Sequence, residues 1–506
     1  MSTAAWILVV IGGLLLLVTI YDLVQTKHAI LRNFPIIGHF RYLFEAVGPE
    51  LRQYIVTNND EERPFSRDQR RWVYASSKGQ NNYFGFGTDN DLESASNYLI
   101  IKHSAFPRPD LPHDPGYRLP CAKVLGGPRG RRHAFRPESV INTSAMSFGS
   151  LSSAAVEAIN RGCAQAGAMQ NTGEGGISPY HDNGGDLIYQ LGTGYFGSRN
   201  KDGSFDLAAL QDKVARYRVK AIEVKLSQGA KPGKGGILPG AKVTPEIAAI
   251  RGVPVGQDVI SPAGHSAFRS VDELLDFVER IADATGLPVG VKSAVGQDAL
   301  WSELAELMAT TGRGVDFVQI DGGEGGTGAA PLVFADHVSL PFKIGFARVR
   351  AIFERAGVAD RVVWIGSGRI GFPADALFAF GLGCDMVAAA REVMLSVGCI
   401  QAQRCHTGHC PTGVATHNRW LVRGLDPTSK AARVAGYLMT FRHELLALTH
   451  ACGYHHPCEV SLDDFEIVDG CYGTRSPWGI FGFEPGWGRP PAAVREEAAA
   501  LMRGVG

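Results

Sequence analysis

From about residue 140 onward, a short apolar run, then Gly, Ser or Asn residues, then an amphipathic stretch recur along the chain. Short apolar runs rich in β-branched residues are typical of buried β-strands. We predict strands at residues 140–146, 168–171, 221–226, 258–261, 288–292, 316–320, 362–365 and 386–390. The stretches between them predict helices, among them 153–166, 271–284, 300–310 and 373–380.

Two of these helices also carry start signals. Ser270 with Glu273 three positions later forms a capping-box pattern, and Pro373 suits a first helical turn. Eight strand–helix alternations over about 250 residues are the pattern of a (β/α)₈ TIM barrel, which is the predicted α/β fold.

The N-terminal segment is the most hydrophobic part of the chain. Residues 4–20 are apolar and uncharged, close to the ~20 residues that cross a bilayer. We predict a single-pass anchor in the inner (cytoplasmic) membrane, favoured over a cleaved signal peptide or a buried hydrophobic helix. The basic residues that follow place the catalytic part in the cytoplasm; they are Lys27, Arg32, Arg41 and Arg52.

The predicted organisation has four parts. Residues 1–26 form the anchor, 27–120 a collar with scattered Pro and aromatic residues, 121–460 the barrel, and 461–506 a C-terminal extension.

The formal net charge is zero, which gives no reason to expect nucleic acid as a partner. The nine cysteines do not form a secreted disulfide framework, which favours a reducing compartment.

In a TIM barrel the chemistry belongs at the carboxyl ends of the strands. Polar, glycine-rich motifs follow the predicted strands there, at 171–176, 228–233, 321–328 and 366–369, with Lys292 and Arg391 ending two others. Lys231, Arg251 and Lys292 could bind carboxylates. Glu174 and Glu324 lie in glycine-rich loops, where each could act as an acid or base or merely hold a turn.

Residues 366–371 read G-x-G-x-x-G after a predicted strand. A dinucleotide site would need an acidic residue ending the next strand, whereas Asp385 precedes that strand. The seventh position in the barrel favours a flavin phosphate instead. Glycines that serve only the turn are the third alternative.

Cys399, Cys405 and Cys410 form a C-x5-C-x4-C pattern with Pro411 after the last cysteine. This spacing suits an iron–sulfur cluster. Zinc with His406 or His409 as a further ligand, or inert thiols, remain alternatives. We interpret Cys452, Cys458 and Cys471 as structural.

Several motifs together resemble the synthase domain of glutamate synthase. They lie at 144–152, 171–176, 228–236, 238–240, 321–331 and 398–416, and the resemblance covers about residues 120–460. More closely, the chain is similar to stand-alone, single-pass FMN-binding glutamate synthase-like proteins.

The resemblance implies FMN in the barrel and a [3Fe–4S] cluster on Cys399, Cys405 and Cys410. It implies a 2-oxoglutarate site built by Glu174, Gln228, Lys231 and Arg251. The residues it assigns to the flavin are Ser144, Met146, Ser147, Asn171, Lys292, Asp321, Gly323, Gly325, Gly326, Thr327, Gly366, Ser367, Gly368, Arg369, Ala390 and Arg391.

The resemblance also defines the expected reaction. Electrons from ferredoxin or a membrane redox protein would reach FMN through the cluster, and hydride would reduce an imine of 2-oxoglutarate or a related oxo acid. The family's glutamine-hydrolysing domain and β-helix do not appear in the sequence, so we expect ammonia from elsewhere. Ile237 stands where the family has Gln, and residues 264–267 also differ, which opens the choice of substrate.

Three alternatives stay open beside that reaction. They are an N-methylglutamate synthase-type enzyme, an electron-transfer subunit of a membrane complex, and a zinc-binding scaffold. Assembly into a homo-oligomer also stays open.

Overall fold

The computed structural model describes residues 2–108, 112, 114 and 116–503. Two compact units divide the chain, Met1–Arg70 and Arg71–Gly506. The strands are β1 (Leu99–Ile101), β2 (Ile141–Thr143), β3 (Met169–Asn171), β4 (Asp186–Leu191), β5 (Val219–Lys225), β6 (Ile237–Leu238), β7 (Val259–Ile260), β8 (Val289–Ser293), β9 (Phe317–Asp321), β10 (Val363–Ser367), β11 (Met386–Ala389), β12 (Phe465–Val468) and β13 (Thr474–Arg475).

The helices are α1 (Thr3–Val24), α2 (Ala29–Asn33), α3 (Gly38–Leu51), α4 (Arg67–Ser77), α5 (Ser153–Ala166), α6 (Leu207–Arg216), α7 (Pro245–Arg251), α8 (Val271–Thr285), α9 (Ala299–Thr310), α10 (Leu332–His337), α11 (Phe342–Arg355), α12 (Pro373–Gly381), α13 (Arg391–Val397), α14 (Arg419–Val422), α15 (Pro427–Ala451), α16 (Pro477–Phe481) and α17 (Ala492–Arg503).

A closed barrel of eight parallel strands forms the core of the second unit. Its order is β2, β3, β4, β5, β8, β9, β10 and β11, and β11 pairs back to β2. Val387 and Ile141 are one of the residue pairs that close the ring. The predicted TIM barrel is therefore confirmed.

One predicted barrel strand is wrong. Val259–Ile260 does not enter the barrel but pairs antiparallel with Ile237–Leu238 in a short hairpin. The third barrel strand is Asp186–Leu191, which the apolar pattern did not predict. Its buried side chains include Gln190, which donates to Glu223 inside the barrel, and Tyr189 on the opposite face, whose hydroxyl lies 2.9 Å from the Ser198 hydroxyl. Residues 228–233 therefore follow the fourth barrel strand and not the third.

The predicted helices are confirmed at α5, α8, α9 and α12, with ends within a residue of the expected ones. The Ser270 hydroxyl accepts a hydrogen bond from the Glu273 amide at 3.2 Å and caps α8. The Glu273 carboxylate binds the amide of Arg269 and not that of Ser270, so the capping box is only half formed. Helix α5 packs closely on α15, because a Cβ at Gly162 would lie 2.5 Å from the Cβ of Val434.

A small antiparallel sheet joins a segment that precedes the barrel in sequence to one that follows it. Strand β1 pairs antiparallel with β12, which also pairs with β13. Leu99 lies opposite Ile467 in this register. The collar and the C-terminal extension, which the sequence separates by the whole barrel, are therefore joined by backbone hydrogen bonds.

The first unit begins with α1, whose 22 residues have a mean hydropathy of 2.6 in their most apolar window. By length and composition alone, this helix is able to cross a membrane. Its side chains are mostly exposed, but Asp22 is fully buried. The Asp22 carboxylate accepts hydrogen bonds from the Ile36 amide and from His39 Nε2, each at 2.9 Å.

A buried ion pair links the amino ends of β10 and β11. Lys123 Nζ lies 3.1 Å from Asp385 Oδ2 and also donates to the carbonyl of Val362 at 3.0 Å. The same carboxylate oxygen accepts the Trp364 amide at 2.8 Å. Asp385, whose position before its strand argued against a dinucleotide site, holds this end of the barrel together.

We expect Lys123→Met to lower the free energy of unfolding by about 3–5 kcal/mol, because the substitution leaves a buried carboxylate without its cation. Lys102→Met is the matched control, since Lys102 and Glu466 form a largely exposed pair whose loss costs about 0–1 kcal/mol. Urea denaturation of the purified protein measures both. Equal effects of the two substitutions would contradict a structural role for the buried pair.

Candidate active site

The loops at the carboxyl ends of the barrel strands converge, as the sequence predicted. The Gly229 amide donates to Asp321 Oδ2 at 3.0 Å, which ties the loop after β5 to the end of β9. The Gly322 amide donates to the Ser367 carbonyl at 2.8 Å, and the hydroxyls of Ser144 and Ser367 lie 3.3 Å apart. Residues from four different strands therefore meet at one mouth.

One side of this mouth holds a carboxylate surrounded by cations. Glu174 Oε1 lies 2.9 Å from Lys225 Nζ, which also donates to Gln228 Oε1 at 2.7 Å. Burial opposes ionisation of Glu174, but Lys225, Lys231 and Arg251 together hold its pKa below the ordinary value. Glu174 is thus a carboxylate at neutral pH.

Lys225 was missed by sequence reasoning. It lies inside a run predicted as a buried strand, at residues 221–226, where its charge attracted no separate interpretation. The informative signal was its position as the last residue of that strand, because barrel strands present functional side chains at their carboxyl ends.

Lys231 and Arg251 supply two further cations to the same pocket. Burial and the neighbouring Lys225 lower the pKa of Lys231 to about 8, with Glu174 opposing the shift. Burial lowers the pKa of Arg251 to about 10, and Glu174 again opposes it. Arg251 donates to the Phe148 carbonyl at 3.1 Å, and its Nε has no hydrogen-bond partner among the described residues. An anionic ligand would satisfy these groups.

Glycines leave the space that this cluster occupies. A Cβ at Gly192 or at Gly236 would lie 2.6 Å from atoms of the Glu174 side chain. A Cβ at Gly175 would lie 2.9 Å from Arg251 Nη2. Side chains at these positions would displace the charged groups, so the glycines are part of the pocket's construction.

The upper interior of the barrel is polar. Glu223 is fully buried and accepts hydrogen bonds from Asn171 Nδ2 at 2.8 Å and Gln190 Nε2 at 2.6 Å. Burial raises the pKa of Glu223 although Lys292 opposes the shift. Lys292 Nζ lies 3.4 Å from Asp321 Oδ2. Glu223 was not predicted as a site residue, because a single acidic residue within an apolar run carries no motif.

Loops after the sixth, seventh and eighth barrel strands pack against one another. Gly368 has φ +128°, and a Cβ there would lie 2.9 Å from the Gly322 amide nitrogen. A Cβ at Gly326 would lie 2.5 Å from Arg391 Cδ. Arg391 Nη2 donates to the Glu324 carbonyl, which joins the sixth and eighth loops. The predicted positions Gly323, Gly325, Arg369 and Ala390 belong to these same loops, and Gly366 lies near the end of β10.

These residues fit a flavin mononucleotide. Glu223 Oε2 is buried without a hydrogen-bond partner in the described chain, and a ring with polar edges would engage it together with Lys292. Backbone amides of the glycine-rich loops would hold the flavin phosphate. The group is implied by the resemblance, and the residues present are compatible with it.

The remaining predicted positions lie at the edges of the site. Ser147 Oγ lies 3.5 Å from Arg251 Nη2, next to the buried Met146. Thr327 is exposed and accepts the Ala329 amide. Glu324 accepts the Phe342 amide at 2.8 Å, at the start of α11, so it caps a helix rather than facing the pocket's cations.

The three-cysteine loop lies beside the loop after β9. A Cβ at Gly328 would lie 3.0 Å from the Cβ of Cys405. Lys242 Nζ donates to the Cys405 carbonyl at 2.8 Å, and the Tyr74 hydroxyl donates to the Cys399 carbonyl at 2.7 Å. Cys410 is buried, and backbone hydrogen bonds outweigh burial and lower the pKa of its thiol.

Residues 129–455 match the family described as the conserved region in glutamate synthase. The glutamate synthase large subunit-like protein YerD of Bacillus subtilis is 37% identical over 88% of this chain and 90% of its own length. An archaeal glutamate synthase [NADPH] of Methanocaldococcus jannaschii is 39% identical over 61% of this chain and 58% of its own length. The glutamate synthase [NADPH] large chain of Bacillus subtilis is 32% identical over 63% of this chain and 20% of its own.

The chain belongs to the glutamate synthase family. The family that the sequence motifs predicted is thereby confirmed, and with it an oxidoreductase of the glutamate synthase type. The chain spans little more than half of the archaeal relative.

Within this glutamate synthase fold, the differing segment 264–267 contains a positioning residue. His265 lies 2.9 Å from the Lys225 carbonyl through Nε2 and 2.9 Å from the Tyr195 hydroxyl through Nδ1. Burial lowers the pKa of His265 to about 4, so the ring is neutral near pH 7. Nε2 then donates to Lys225 and Nδ1 accepts from Tyr195, which fixes the backbone at the end of β5.

Binding of a small dicarboxylate such as 2-oxoglutarate should weaken as the pH rises through the Lys231 pKa of about 8. Below that pKa Lys231 is an ammonium, and above it the pocket loses one positive charge. We expect roughly a tenfold loss of affinity between about pH 7 and pH 9.5, measured by calorimetry. Lys231→Arg should flatten the decline, whereas a pH-independent affinity of the unsubstituted protein would contradict this role.

Proposed function

We propose that the protein is a membrane-anchored oxidoreductase, dependent on FMN and a [3Fe–4S] cluster, that reduces an imine of 2-oxoglutarate or a related oxo acid to an amino acid. One observation carries the proposal. Two buried cations with lowered pKa values, Lys231 and Arg251, both act electrostatically on Glu174, at the barrel mouth whose residues fit a flavin.

The pocket's own residues can bind and orient such a substrate. Arg251 offers a planar guanidinium to a carboxylate, and Lys231 offers a point charge to a second anionic or carbonyl oxygen. Lys225 holds Gln228 and Glu174 in place. Glu174, as a carboxylate, can accept a proton or a hydrogen bond from the nitrogen of ammonium or of an imine.

The cofactors supply what these side chains lack. A bound flavin would supply the hydride, with Lys292 and Glu223 at the barrel mouth to hold its ring. An iron–sulfur cluster on Cys399, Cys405 and Cys410 would deliver single electrons from ferredoxin or a membrane redox protein. The position of the cysteine loop against the loop after β9 supports this arrangement.

We also propose that α1 is a transmembrane anchor with the barrel on the cytoplasmic side. Its length of 22 residues and its exposed apolar side chains support the span. The basic residues after it support the orientation. Anchoring would keep the barrel close to a redox partner in the same membrane.

The reaction is tested by reoxidation of the purified holoenzyme under anaerobic conditions. After chemical reduction, addition of 2-oxoglutarate and ammonium should restore the oxidised flavin spectrum and yield glutamate. Methylamine in place of ammonium examines the N-methylglutamate alternative. A flavin that stays reduced with every oxo acid and amine pair would overturn the imine reductase proposal.

Ile237 favours a second candidate, an electron-transfer subunit without a substrate of its own. It replaces the family's Gln directly beside Gly236, which borders Glu174.

We expect Lys231→Met and Arg251→Met each to reduce imine turnover at least about a hundredfold, since each removes a charge-assisted contact of roughly 3 kcal/mol. A pure electron carrier would show no imine turnover even as the unsubstituted protein. Both substituted proteins would then keep the unsubstituted rate of electron transfer to an artificial acceptor.

The metal assignment is tested with cysteine substitutions. We expect Cys410→Ala to lose most of the bound iron and acid-labile sulfide, since a trinuclear cluster needs all three thiolates. Cys471→Ala is the matched control, because Cys471 is an exposed thiol that is not part of the three-cysteine loop. Elemental analysis and EPR of the oxidised protein distinguish the outcomes. Zinc in place of iron in the unsubstituted protein would refute the cluster.

A further inference from the structure

The first unit has an apolar helix face that the predicted anchor does not explain. Helix α3 and the π-helical turn after it (Arg52–Val56) expose apolar side chains at intervals of three and four residues. Phe40 is 56% exposed and Phe44 63%. These side chains form what we call the α3 stripe, which consists of Phe40, Leu43, Phe44, Val47, Leu51 and Ile55.

The α3 stripe covers one side of the helix only. At about 100° per residue, positions 40, 43, 44, 47 and 51 fall within roughly a third of the circumference. His39, Arg41, Glu45 and Ala46 lie outside that sector. A soluble helix of this pattern turns its apolar side to a core, whereas this one is exposed along its whole length.

The buried carboxylate of Asp22 fixes where this helix begins. Asp22 lies in the last turn of α1, and its hydrogen bonds to the Ile36 amide and His39 tie that turn to the start of α3. Helix α1 is about 33 Å long, enough for the roughly 30 Å hydrocarbon core of a bilayer. If α1 spans the membrane, α3 starts at the depth where the apolar run ends.

Charge around the stripe matches the same surface. Residues 27–56 contain four basic groups (Lys27, Arg32, Arg41 and Arg52) against Glu45 and Glu50, a net charge of +2. Cytoplasmic membrane surfaces carry anionic lipid headgroups, and basic residues close to them gain electrostatic attraction. Tyr21, 65% exposed at the end of α1, is also a residue type that favours this interface.

We propose that α3 lies in the cytoplasmic membrane interface, with the α3 stripe in the headgroup–acyl boundary of anionic lipid. This inference rests on the proposed anchor and adds a second lipid contact, which holds the first unit flat against the membrane. The apolar area and the net positive charge together give the binding mode of an interfacial amphipathic helix.

The test uses the full-length protein in vesicles of phosphatidylcholine and phosphatidylglycerol. A bimane fluorophore is attached at Phe44→Cys, or at Ala46→Cys as the matched control on the other side of the helix. A Cys471→Ser background removes the exposed native thiol, and the signal of that parent protein is subtracted. Brominated lipid and aqueous iodide then quench the fluorophore from opposite sides of the boundary.

We expect brominated lipid to quench the label at Phe44→Cys by at least about half and the label at Ala46→Cys by roughly a tenth or less, with the order reversed for iodide. Equal, iodide-dominated quenching at both positions would show a water-exposed face and overturn the proposal. Protection of Phe44→Cys from both quenchers would show a protein cover, such as a second copy, and would also overturn it.

A label at Leu14→Cys, in the middle of α1, separates this inference from the anchor on which it rests. Lipid quenching at Leu14→Cys without quenching at Phe44→Cys would retain the anchor and refute the interfacial helix. Absence of lipid quenching at Leu14→Cys would refute the anchor itself.

Discussion

Closure of the barrel between β11 and β2 is the constraint on which the site depends. Three residue pairs join these strands, and they bring the first and last parallel strands side by side. Only then do Ser144 and Ser367 meet, although most of the barrel separates them in sequence. Each loop that forms the mouth begins at the end of one barrel strand, so the ring sets where that loop starts.

A second constraint is that the barrel encloses charged groups. Glu223 is fully buried and accepts hydrogen bonds from side-chain amides of the second and third barrel strands. His265 binds the backbone carbonyl of Lys225, and Glu174 pairs with its ammonium group. Unpaired charges at these depths would be costly. These pairs hold the cationic side chains in place before a ligand binds. Less side-chain entropy is then lost when the ligand is oriented.

The sequence predicted most of this barrel because buried parallel strands are apolar and their carboxyl ends carry glycine-rich motifs. It failed at Asp186–Leu191 since that strand buries Gln190 inside the barrel and Tyr189 on its opposite face. An apolar pattern cannot show that a buried polar side chain has a partner. The same reason hid Lys225 and Glu223. Residues 258–261 looked like a barrel strand, but β-branched content does not distinguish a barrel strand from a hairpin.

The small sheet that joins β1 to β12 has a consequence for synthesis. Strand β1 is made before any strand of the barrel, yet its partner β12 is made only after the complete barrel. During that interval its backbone groups have no partner from β12, and the nascent chain is already held by its N-terminal helix if that helix inserts. A strand made after the barrel therefore completes a sheet begun before it, and truncated translation products would carry an open sheet edge.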